Sequence, residues 1–318
     1  MGAAITGLGV AIPETRLTNA DLERVLDTSD EWIVERSGIR ERRVAAPGDT
    51  AATLGAAAGA AAIKDAGLTP DDIALLVLAT STPVQPMPST AAFVQDSLGL
   101  RCGAFDGGAA CSGFVYGLVV AAGLVPTAGG GRPGPVLLVG TDLLTRIVDP
   151  DDRSTRVLFG DGAGAAVVAP AADVSAGLLA WDLGCDGSAA GLLEVPAGEQ
   201  WVRMEGREVF RRAVRIVIES AYQALGRAGL TPADVDLFVP HQANARIVEA
   251  VCSRLGIPLS RTAMNIDRYG NTSAASIPIA LAEVAEAGRL APGAVVLMSG
   301  FGAGMTWASA VMRWDAGR

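Results

Sequence analysis

Short aliphatic runs alternate with longer alanine-rich stretches along the whole chain. The runs are IALLVLAT (73–80), VLLVG (136–140), VDLFVP (235–240) and VVLMSG (295–300). Strands that are buried on both faces of a mainly parallel sheet have this continuous Val, Ile and Leu character, and helices connect them. The pattern therefore predicts an α/β fold in which helices cover both faces of the sheets.

One arrangement of polar and apolar positions occurs twice. DAGLTPDDIALL (65–76) and RAGLTPADVDLF (227–238) share GLTPxD at a separation of 162 positions, and each leads from a helix end into a strand. The pair VLLVG and FGDGAGAAVVA is matched near the C-terminus by VVLMSG and FGAGMTWASAVM. We predict a duplication into halves at 1–170 and 171–318, packed as five layers, α-β-α-β-α.

Three polar residues stand out against this apolar background. Cys111 follows a Gly-Ala turn in DGGAACSGF and opens an apolar helix, and a shift of 160 positions brings it onto Asn271 in GNTSAAS. His241, the only histidine, follows the strand VDLFV. Open α/β folds place their chemistry at such strand and helix ends. The start of a helix also favours the thiolate form of a cysteine, which makes Cys111 a candidate nucleophile.

Composition and charge narrow the possible partners. The 318 residues carry a net charge of −9 and the pI is about 4.7, which argues against nucleic acid. No uncharged apolar run reaches the roughly 18 residues of a membrane span, and the N-terminus lacks the features of a signal peptide. We therefore expect a cytoplasmic protein without membrane association. The scattered cysteines favour free thiols over disulfides or a zinc site; they are Cys102, Cys111, Cys185 and Cys252.

The motifs resemble those of one enzyme family. GGAACSGF, PHQANARI and GNTSAAS closely resemble the motifs of β-ketoacyl-ACP synthase III, and so do DTSDEWIVERSGIRERR (27–43), FGDGAGAAVV (159–168) and FGAGMTWAS (301–309). The resemblance implies a thiolase-like fold and a decarboxylating Claisen condensation of an acyl-CoA primer with malonyl-ACP. It also implies a homodimer, with acyl-CoA and acyl carrier protein (ACP) as partners and no metal or redox cofactor.

The resemblance assigns roles at the reaction centre. Cys111 resembles the nucleophile that holds the acyl group. His241 and Asn271 resemble the pair that binds the malonyl thioester carbonyl during loss of CO₂. The backbone N–H groups of Cys111 and Ala303 would form an oxyanion hole, and Phe301 resembles the aromatic wall beside the malonyl carboxylate. Ala303 and Met305 depart from the FGGGFTW that the family often has.

The same comparison implies binding residues around the centre. Trp32 and Arg153 match the pair that encloses the CoA adenine, Arg36 and Ser37 match contacts to the nucleotide, and Met87 matches a residue that closes the partner's acyl pocket. The other matches are those to the pantetheine tunnel, Phe210, Asn244 and Arg246. The expected ACP-docking residues are Gln242, Arg207, Arg211, Arg215, Arg246 and Arg254, of which Arg207, Arg211 and Arg215 share one side of a predicted helix.

Two other functions remain open at the level of sequence. One is a related acyltransferase of secondary metabolism that moves an acyl group to an acceptor without condensation; the intact Asn271 favours condensation. The other is a catalytically inactive partner subunit that only shapes an acyl cavity. The sequence does not identify the acyl primer, nor does it separate the start of fatty acid synthesis from the loading of a polyketide starter unit.

Overall fold

The structure, a computed structural model, describes residues 2–171 and 175–314. The strands are β1 Ala3–Ala11, β2 Thr15–Thr18, β3 Glu41–Val44, β4 Leu75–Ala79, β5 Gly103–Gly107, β6 Val136–Leu143, β7 Asp161–Pro170, β8 Gly177–Cys185, β9 Leu193–Glu194, β10 Arg203–Met204, β11 Leu237–Pro240, β12 Val295–Gly302 and β13 Thr306–Arg313. The helices are α1 Asn19–Glu23, α2 Asp30–Ser37, α3 Ala51–Asp65, α4 Thr90–Ser97, α5 Gly113–Leu124, α6 Arg153–Arg156, α7 Gly206–Arg227, α8 Ala245–Leu255, α9 Ile266–Tyr269 and α10 Ser276–Glu286.

Two sheets of matching topology form the framework. The first has the order β1-β7-β6-β4-β5 and the second the order β8-β13-β12-β11. An isolated parallel bridge between Phe238 and Thr262 occupies the place that a fifth strand would take in the second sheet. The prediction of mainly parallel sheets is wrong in part, because β7 runs antiparallel to β6 and β1, and β13 to β12 and β8. Strand β13 follows β12 through a short turn at residues 303–305, whereas β7 follows β6 after a longer segment, residues 144–160, that contains α6.

Helices lie between and outside the two sheets. Helices α5 and α10 form the central layer, α3 covers the outer face of the first sheet, and α7 and α8 cover the second. Helix α5 is apolar on all sides because both sheets contact it, whereas α7 presents one apolar face. The predicted five-layer arrangement is therefore confirmed. Among the described residues, no helix is both long and apolar enough to cross a membrane.

Strand β7 of the first sheet ends at Pro170, and strand β8 of the second sheet begins at Gly177; the division into halves at 1–170 and 171–318 stays a prediction. The two halves nevertheless share a core, since one apolar cluster contains Val77 and Phe114 of the first half with Ile277 and Val296 of the second. Burial in this central layer therefore ties the two halves into one folding unit.

The repeat GLTPxD has a local physical cause. In each copy a threonine N–H donates to an aspartate three residues later, at 2.8 Å for both Thr69–Asp72 and Thr231–Asp234, and the hydroxyl donates to the same carboxylate. Further along, the offset between the halves is 163, because the turn Ala110–Ser112 corresponds to the turn Ser273–Ala275. The predicted match of Cys111 to Asn271 is therefore wrong: Cys111 corresponds to Ala274.

Candidate active site

Cys111 lies in a tight turn that leads into α5. The residue before it, Ala110, has a φ of 45°, a left-handed conformation that non-glycine residues rarely adopt. Strand β12 passes directly above the turn: a Cβ atom on Gly302 would lie 2.6 Å from the backbone nitrogen of Cys111. Glycine at this position lets the strand cover Cys111, whose exposed fraction is only 8%.

The buried thiol of Cys111 is neutral in the free protein. Burial and, to a smaller extent, the field of Asp142 raise its pKa to about 12, against the lowering effect of a hydrogen bond from the Ser273 hydroxyl, whose Oγ lies 3.3 Å from Sγ. The predicted stabilisation of a thiolate at the helix start is therefore outweighed by loss of hydration. Deprotonation has to accompany attack on a substrate rather than precede it.

His241 follows β11 and is held from both sides. Its N–H donates to Ser299 O at 2.8 Å, and its ring Nδ1 lies 2.7 Å from Ser276 Oγ. Nε2 is buried without a hydrogen-bond partner, and the ring meets Phe301 edge to face at 5.6 Å between centroids. Burial lowers the pKa of His241 to about 3, so the imidazole is neutral at physiological pH.

Asn271 is fixed by hydrogen bonds along its backbone and at one end of its side chain. Its N–H donates to Leu158 O at 2.8 Å, and its carbonyl accepts from Gly160 at 2.9 Å. The side-chain Oδ1 accepts from the N–H of Ser273 at 2.9 Å. With Oδ1 occupied, the amide Nδ2 is the group that can donate to a ligand.

Two cavities meet at Cys111. The first, of about 80 Å³, is lined by Cys111, His241 and Asn271 together with Phe301 at one end and Phe210 and Asn244 at the other. The second, of about 200 Å³, has mainly apolar walls and also contains Ala303. Its apolar lining consists of Leu144, Ile147, Val148, Phe159, Leu193, Val195 and Val202. We call the first cavity the passage and the second the apolar pocket. Both are lined by Cys111.

Comparisons with known proteins agree with this geometry. Two family models match: 3-oxoacyl-[acyl-carrier-protein] synthase III at residues 105–187, and its C-terminal part at residues 225–314. The β-ketoacyl-ACP synthase III of Roseiflexus castenholzii is 52% identical, over 99% of both chains. The crystal structure of 3-oxoacyl-ACP synthase III from Aquifex aeolicus matches with a TM-score of 0.95 and 44% identity, over 98% of this chain and 100% of that one.

The chain belongs to the β-ketoacyl-ACP synthase III family. The predicted family, the thiolase-like fold and the transferase class are thereby confirmed. The predicted condensation of an acyl primer with malonyl-ACP is favoured over acyl transfer without condensation. The priming β-ketosynthase of the R1128 polyketide pathway has the same fold, with a TM-score of 0.93 and 37% identity, over 99% of this chain and 96% of that one.

Two of the residues that the synthase III resemblance placed at the CoA nucleotide, Trp32 and Arg153, contact each other. The Arg153 guanidinium stacks on the Trp32 ring, 4.6 Å from its centroid, and donates to Asp27 O at 2.6 Å. Beside Asp27, the hydroxyl of Thr28 is buried without a hydrogen-bond partner.

At the mouth of the passage, one residue links helices α2 and α8. Asn244 caps α8, accepting from Arg246 N at 2.9 Å, and its amide donates to Arg36 O at 2.9 Å, which fixes α8 to the end of α2. The exposed Arg246 guanidinium lies 5.8 Å from the Phe210 ring centroid. Phe210, Asn244 and Arg246 therefore lie close together, and Asn244 links α8 to the end of α2; their role in binding pantetheine stays a prediction.

Two predicted contacts are wrong because the side chains point inward. Ser37 is 1% exposed, and its hydroxyl donates to Ile33 O at 2.6 Å and accepts from Ile39 N. Gln242 is also 1% exposed, and its amide is bonded to backbone groups of three residues, Pro240, Ala263 and Asn265. Neither side chain is available to a nucleotide or to a carrier protein.

The predicted docking arginines share the outer side of α7. Arg207, Arg211 and Arg215 are exposed there, and Arg254 is exposed on α8. Two hydrogen bonds join Arg211 to Glu208, at 2.9 and 2.6 Å. By contrast, no ion pair links Arg207 to a carboxylate among the residues that the structure describes.

Met87 lies on the surface of the single chain, with 84% of its area exposed, and does not line the apolar cavity. Sequence reasoning also missed the polar groups behind the centre, which are Asp142, Ser273 and Ser276. In residues 2–171 and 175–314, no group of three His, Cys, Asp or Glu side chains is arranged to hold a metal ion.

Proposed function

We propose that Cys111, His241 and Asn271 carry out the condensation of an acyl-CoA primer with malonyl-ACP. The observation that supports this is the meeting of two cavities at Cys111. The passage is lined by the two N–H donors, His241 and Asn271, and the apolar pocket extends beyond the sulfur. A pantetheine arm fits the passage, and an acyl chain fits the pocket. The product is a 3-oxoacyl-ACP that starts type II fatty acid or polyketide synthesis.

The first step transfers the acyl group. Sγ of Cys111 attacks the thioester carbonyl, and the C–S bond to CoA breaks as the tetrahedral intermediate collapses. The negative oxygen is held by the backbone N–H groups of Cys111 and Ala303, which line the same cavity. One such donor lowers an acyl-transfer barrier by about 3 kcal/mol. Alanine in place of the more usual glycine at 303 keeps this N–H.

The second step generates the carbon nucleophile. Malonyl-ACP enters by the passage, and its thioester oxygen accepts from Nε2 of His241 and Nδ2 of Asn271. Loss of CO₂ places negative charge on that oxygen, and both neutral donors stabilise the enolate. Phe301 contacts the His241 ring and presents an apolar face, which favours loss of the carboxylate charge. Release of CO₂ drives the condensation, so the proposal requires no metal or redox cofactor.

We also propose a homodimer joined at β5. This strand is the edge of the first sheet, with Phe105 39% exposed on it, and Phe93 of α4 is 37% exposed. Unpaired apolar edges of this kind are normally covered in solution. Pairing of two β5 strands brings the 84% exposed Met87 toward the partner's apolar cavity. Acyl-CoA and ACP are the other partners; the proposal places the enzyme in the cytoplasm without nucleic acid or membrane.

Mass spectrometry with two variants tests the proposed function. Incubation with acyl-CoA is expected to add one acyl group to the peptide that carries Cys111, and malonyl-ACP is then expected to discharge it as 3-oxoacyl-ACP. Asn271→Ala is expected to be acylated at the wild-type rate and to lose about 100-fold in CO₂ release. Acylation of Cys102, Cys185 or Cys252 instead of Cys111, or transfer to hydroxyl acceptors without CO₂ release, would contradict the proposal.

A further inference from the structure

Two short turns carry the backbone N–H groups that the proposed first step uses. The turn at 109–112 carries the N–H of Cys111, and the loop at 303–305, between β12 and β13, carries the N–H of Ala303. Both donors have to point at one oxygen atom, so the separation of the turn and the loop determines how well they stabilise it. The two segments are far apart in the sequence, and tertiary contacts therefore fix this separation.

The hydroxyl of Thr306, the first residue of β13, lies between the turn and the loop. Its Oγ1 donates to Ala109 O at 2.9 Å and to Ala303 O at 3.1 Å. A threonine hydroxyl has one proton, so the carbonyls of the two segments share it. The first carbonyl lies two residues before the N–H of Cys111, and the second belongs to the residue whose N–H is the other donor. Thr306 thus links the two donors through short stretches of backbone.

Ser112 adds to this link from the side of the turn. Its hydroxyl is within donating distance of Thr306 Oγ1, at 2.8 Å, and of Ala109 O, at 2.7 Å. The Ser112 side chain is fully buried, so water does not compete for these bonds. Ala109 O also accepts from the N–H of Ser112 at 3.1 Å. Three donors therefore surround the carbonyl of Ala109.

The backbone beside these contacts is strained. Ala110, between Ala109 and Cys111, has a φ of 45°. Such a conformation persists only where its surroundings hold it firmly, and it is concentrated at functional sites. Strand β12 packs on the same residue, since a Cβ atom on Gly302 would lie 3.0 Å from the Cβ of Ala110. The hydroxyl contacts therefore help to hold the conformation that sets the direction of the Cys111 N–H.

The loop at 303–305 has a second attachment, which does not involve the Thr306 hydroxyl. The N–H of Met305 donates to Asp186 O at 2.9 Å, and the N–H of Asp186 donates to Met305 O at 2.8 Å. This pair continues the pairing of β13 with β8, which ends at Cys185. We therefore expect the loop to stay folded without the Thr306 hydroxyl. What the hydroxyl adds is the separation of the loop from the turn at 109–112.

We propose that Thr306, assisted by Ser112, is a positioning residue of the oxyanion hole, and that its hydroxyl fixes the separation of the N–H groups of Cys111 and Ala303. The inference rests on the proposed function, because it requires that these N–H groups bind the oxygen of the tetrahedral intermediate. Neither Thr306 nor Ser112 lines the passage or the apolar pocket, so both act through the backbone. Oxyanion donors work at about 2.7–3.1 Å, and a misplacement of about 1 Å costs about 100-fold in rate.

Rapid-quench acylation of Cys111 over a range of acyl-CoA concentrations tests this role. Thr306→Val keeps the shape of the side chain and is expected to lower the maximal rate by about 10- to 100-fold. The acyl-CoA concentration for half the maximal rate should change by less than about 2-fold, because the variant affects the transition state and not substrate binding. Thr306→Ser keeps the hydroxyl and should stay within about 3-fold of the wild-type rate. Ser112→Ala should lose about 3- to 10-fold, since Thr306 still reaches both carbonyls.

Release of CO₂ from malonyl-ACP without a primer is the second readout, because His241 and Asn271 serve that step and the oxyanion hole does not. Thr306→Val should release CO₂ within about 2-fold of the wild-type rate, whereas a merely structural defect would slow both reactions. Thr262→Val is the matched control, since the Thr262 hydroxyl also donates to a backbone carbonyl, Pro258 O at 3.1 Å. It should leave both reactions within about 2-fold, because a hydrogen bond outside the site contributes to stability and not to the transition state.

The inference is overturned if Thr306→Val acylates at the wild-type rate, if Thr306→Ser is as slow as Thr306→Val, or if acylation and CO₂ release fall together. If Thr306→Val does not fold, Ser112→Ala decides instead, and acylation at the wild-type rate would overturn the inference. A wild type that is never acylated at Cys111 refutes the proposed function. Normal acylation of the wild type with an unchanged Thr306→Val refutes the positioning role alone.

Discussion

Nδ1 of His241 lies 2.7 Å from the hydroxyl oxygen of Ser276, and this contact determines which ring nitrogen carries the proton. Ser276 Oγ also accepts from the N–H of Gln242 at 3.3 Å, and among the described residues Nδ1 of His241 is the one hydrogen-bond partner of Ser276 that can accept its proton. Nδ1 then accepts, and the proton of the neutral ring stays on Nε2. That nitrogen is the one left without a partner in the cavity. Ser276 thus prepares His241 as a hydrogen-bond donor.

Ser276→Ala is expected to slow decarboxylation of malonyl-ACP by about 10- to 100-fold, the range typical of groups that orient a functional histidine. Acylation of Cys111 should stay within about 2-fold, because His241 acts in the second step. Since His241 is the only histidine, ¹⁵N NMR reports its tautomer directly: the wild type should show the proton on Nε2, and the variant a mixture. Ser220→Ala, a buried serine without a partner in α7, is the control. An unmixed Nε2 signal in Ser276→Ala would contradict the assignment.

Burial of His241 also has a consequence for stability at low pH. Its pKa is about 3 when folded, against an ordinary value of 6.5, so below pH 6.5 the unfolded chain binds a proton that the folded chain does not. Stability is therefore complete above pH 6.5 and falls as the pH drops toward 3, by about 1.4 kcal/mol per pH unit. Urea unfolding of wild type and His241→Gln should show the wild type losing about 2 kcal/mol relative to the variant between pH 6.5 and 5. Parallel pH dependences would show that His241 is not buried as described.

Several elements were predictable because their signals are local. The strands after GLTPxD, the helix that begins at Cys111 and the cap at Asn244 each depend on neighbours within a few residues. The offset of 163 positions between the corresponding turns of the two halves was not predictable, because the repeated sequence motifs do not show where one half has gained a residue.

The groups behind the site depend on contacts that are distant in the sequence. Asp142 stands in an apolar strand, 31 positions after Cys111, and Ser273 and Ser276 look like ordinary small residues at a helix start. Only the packing of the central layer against β6 brings them to the thiol and the imidazole. The predictions for Ser37 and Gln242 were wrong for the opposite reason. Each residue is next to matched residues in the sequence, but its side chain points into the core.

The stacked pair at the nucleotide site must open to admit adenine. The Arg153 guanidinium lies 4.6 Å from the Trp32 centroid, whereas a planar base between them needs about 7 Å, twice a van der Waals separation. Arg153→Ala is expected to raise KM for acyl-CoA by about 10-fold, since a cation–π contact contributes about 0.5–2 kcal/mol. Acyl-pantetheine, which lacks the nucleotide, should react equally with both proteins. If the variant loses as much activity with acyl-pantetheine as with acyl-CoA, Arg153 does not act on the nucleotide.

Met87 provides a test of the dimer and of primer selection together. If Met87 closes the partner's apolar cavity, Met87→Phe should shift competition between acyl-CoAs toward shorter chains, and Met87→Ala toward longer ones. Methionine adapts its shape to its neighbours, so overall activity on the best primer should change little. Light scattering should show a dimer for all three proteins. A monomer, or the same chain-length preference in all three proteins, would show that Met87 does not close the acyl pocket.

The arginines on α7 differ in how available they are to an acidic carrier protein. Arg211 is already joined by two hydrogen bonds to Glu208, whereas Arg207 has no ion pair with any described carboxylate, and Arg246 only stacks on Phe210 at the mouth of the passage. The whole protein carries −9, so docking of an acidic partner depends on such local positive charge. Arg207 and Arg246 should therefore contribute more to docking than Arg211.

Charge reversal at these positions, measured as KM for malonyl-ACP at low salt, tests that order. Arg207→Glu and Arg246→Glu are expected to raise KM by about 10-fold and Arg211→Glu by less, because Arg211 has to leave Glu208 to engage a partner. Arg132→Glu, in the exposed loop before β6, makes the same change in net charge and should leave KM unchanged. At 1 M salt, where screening acts within about 3 Å, the variants and the wild type should converge. If Arg132→Glu weakens use of malonyl-ACP as much as Arg207→Glu does, total charge rather than a docking surface on α7 controls the encounter.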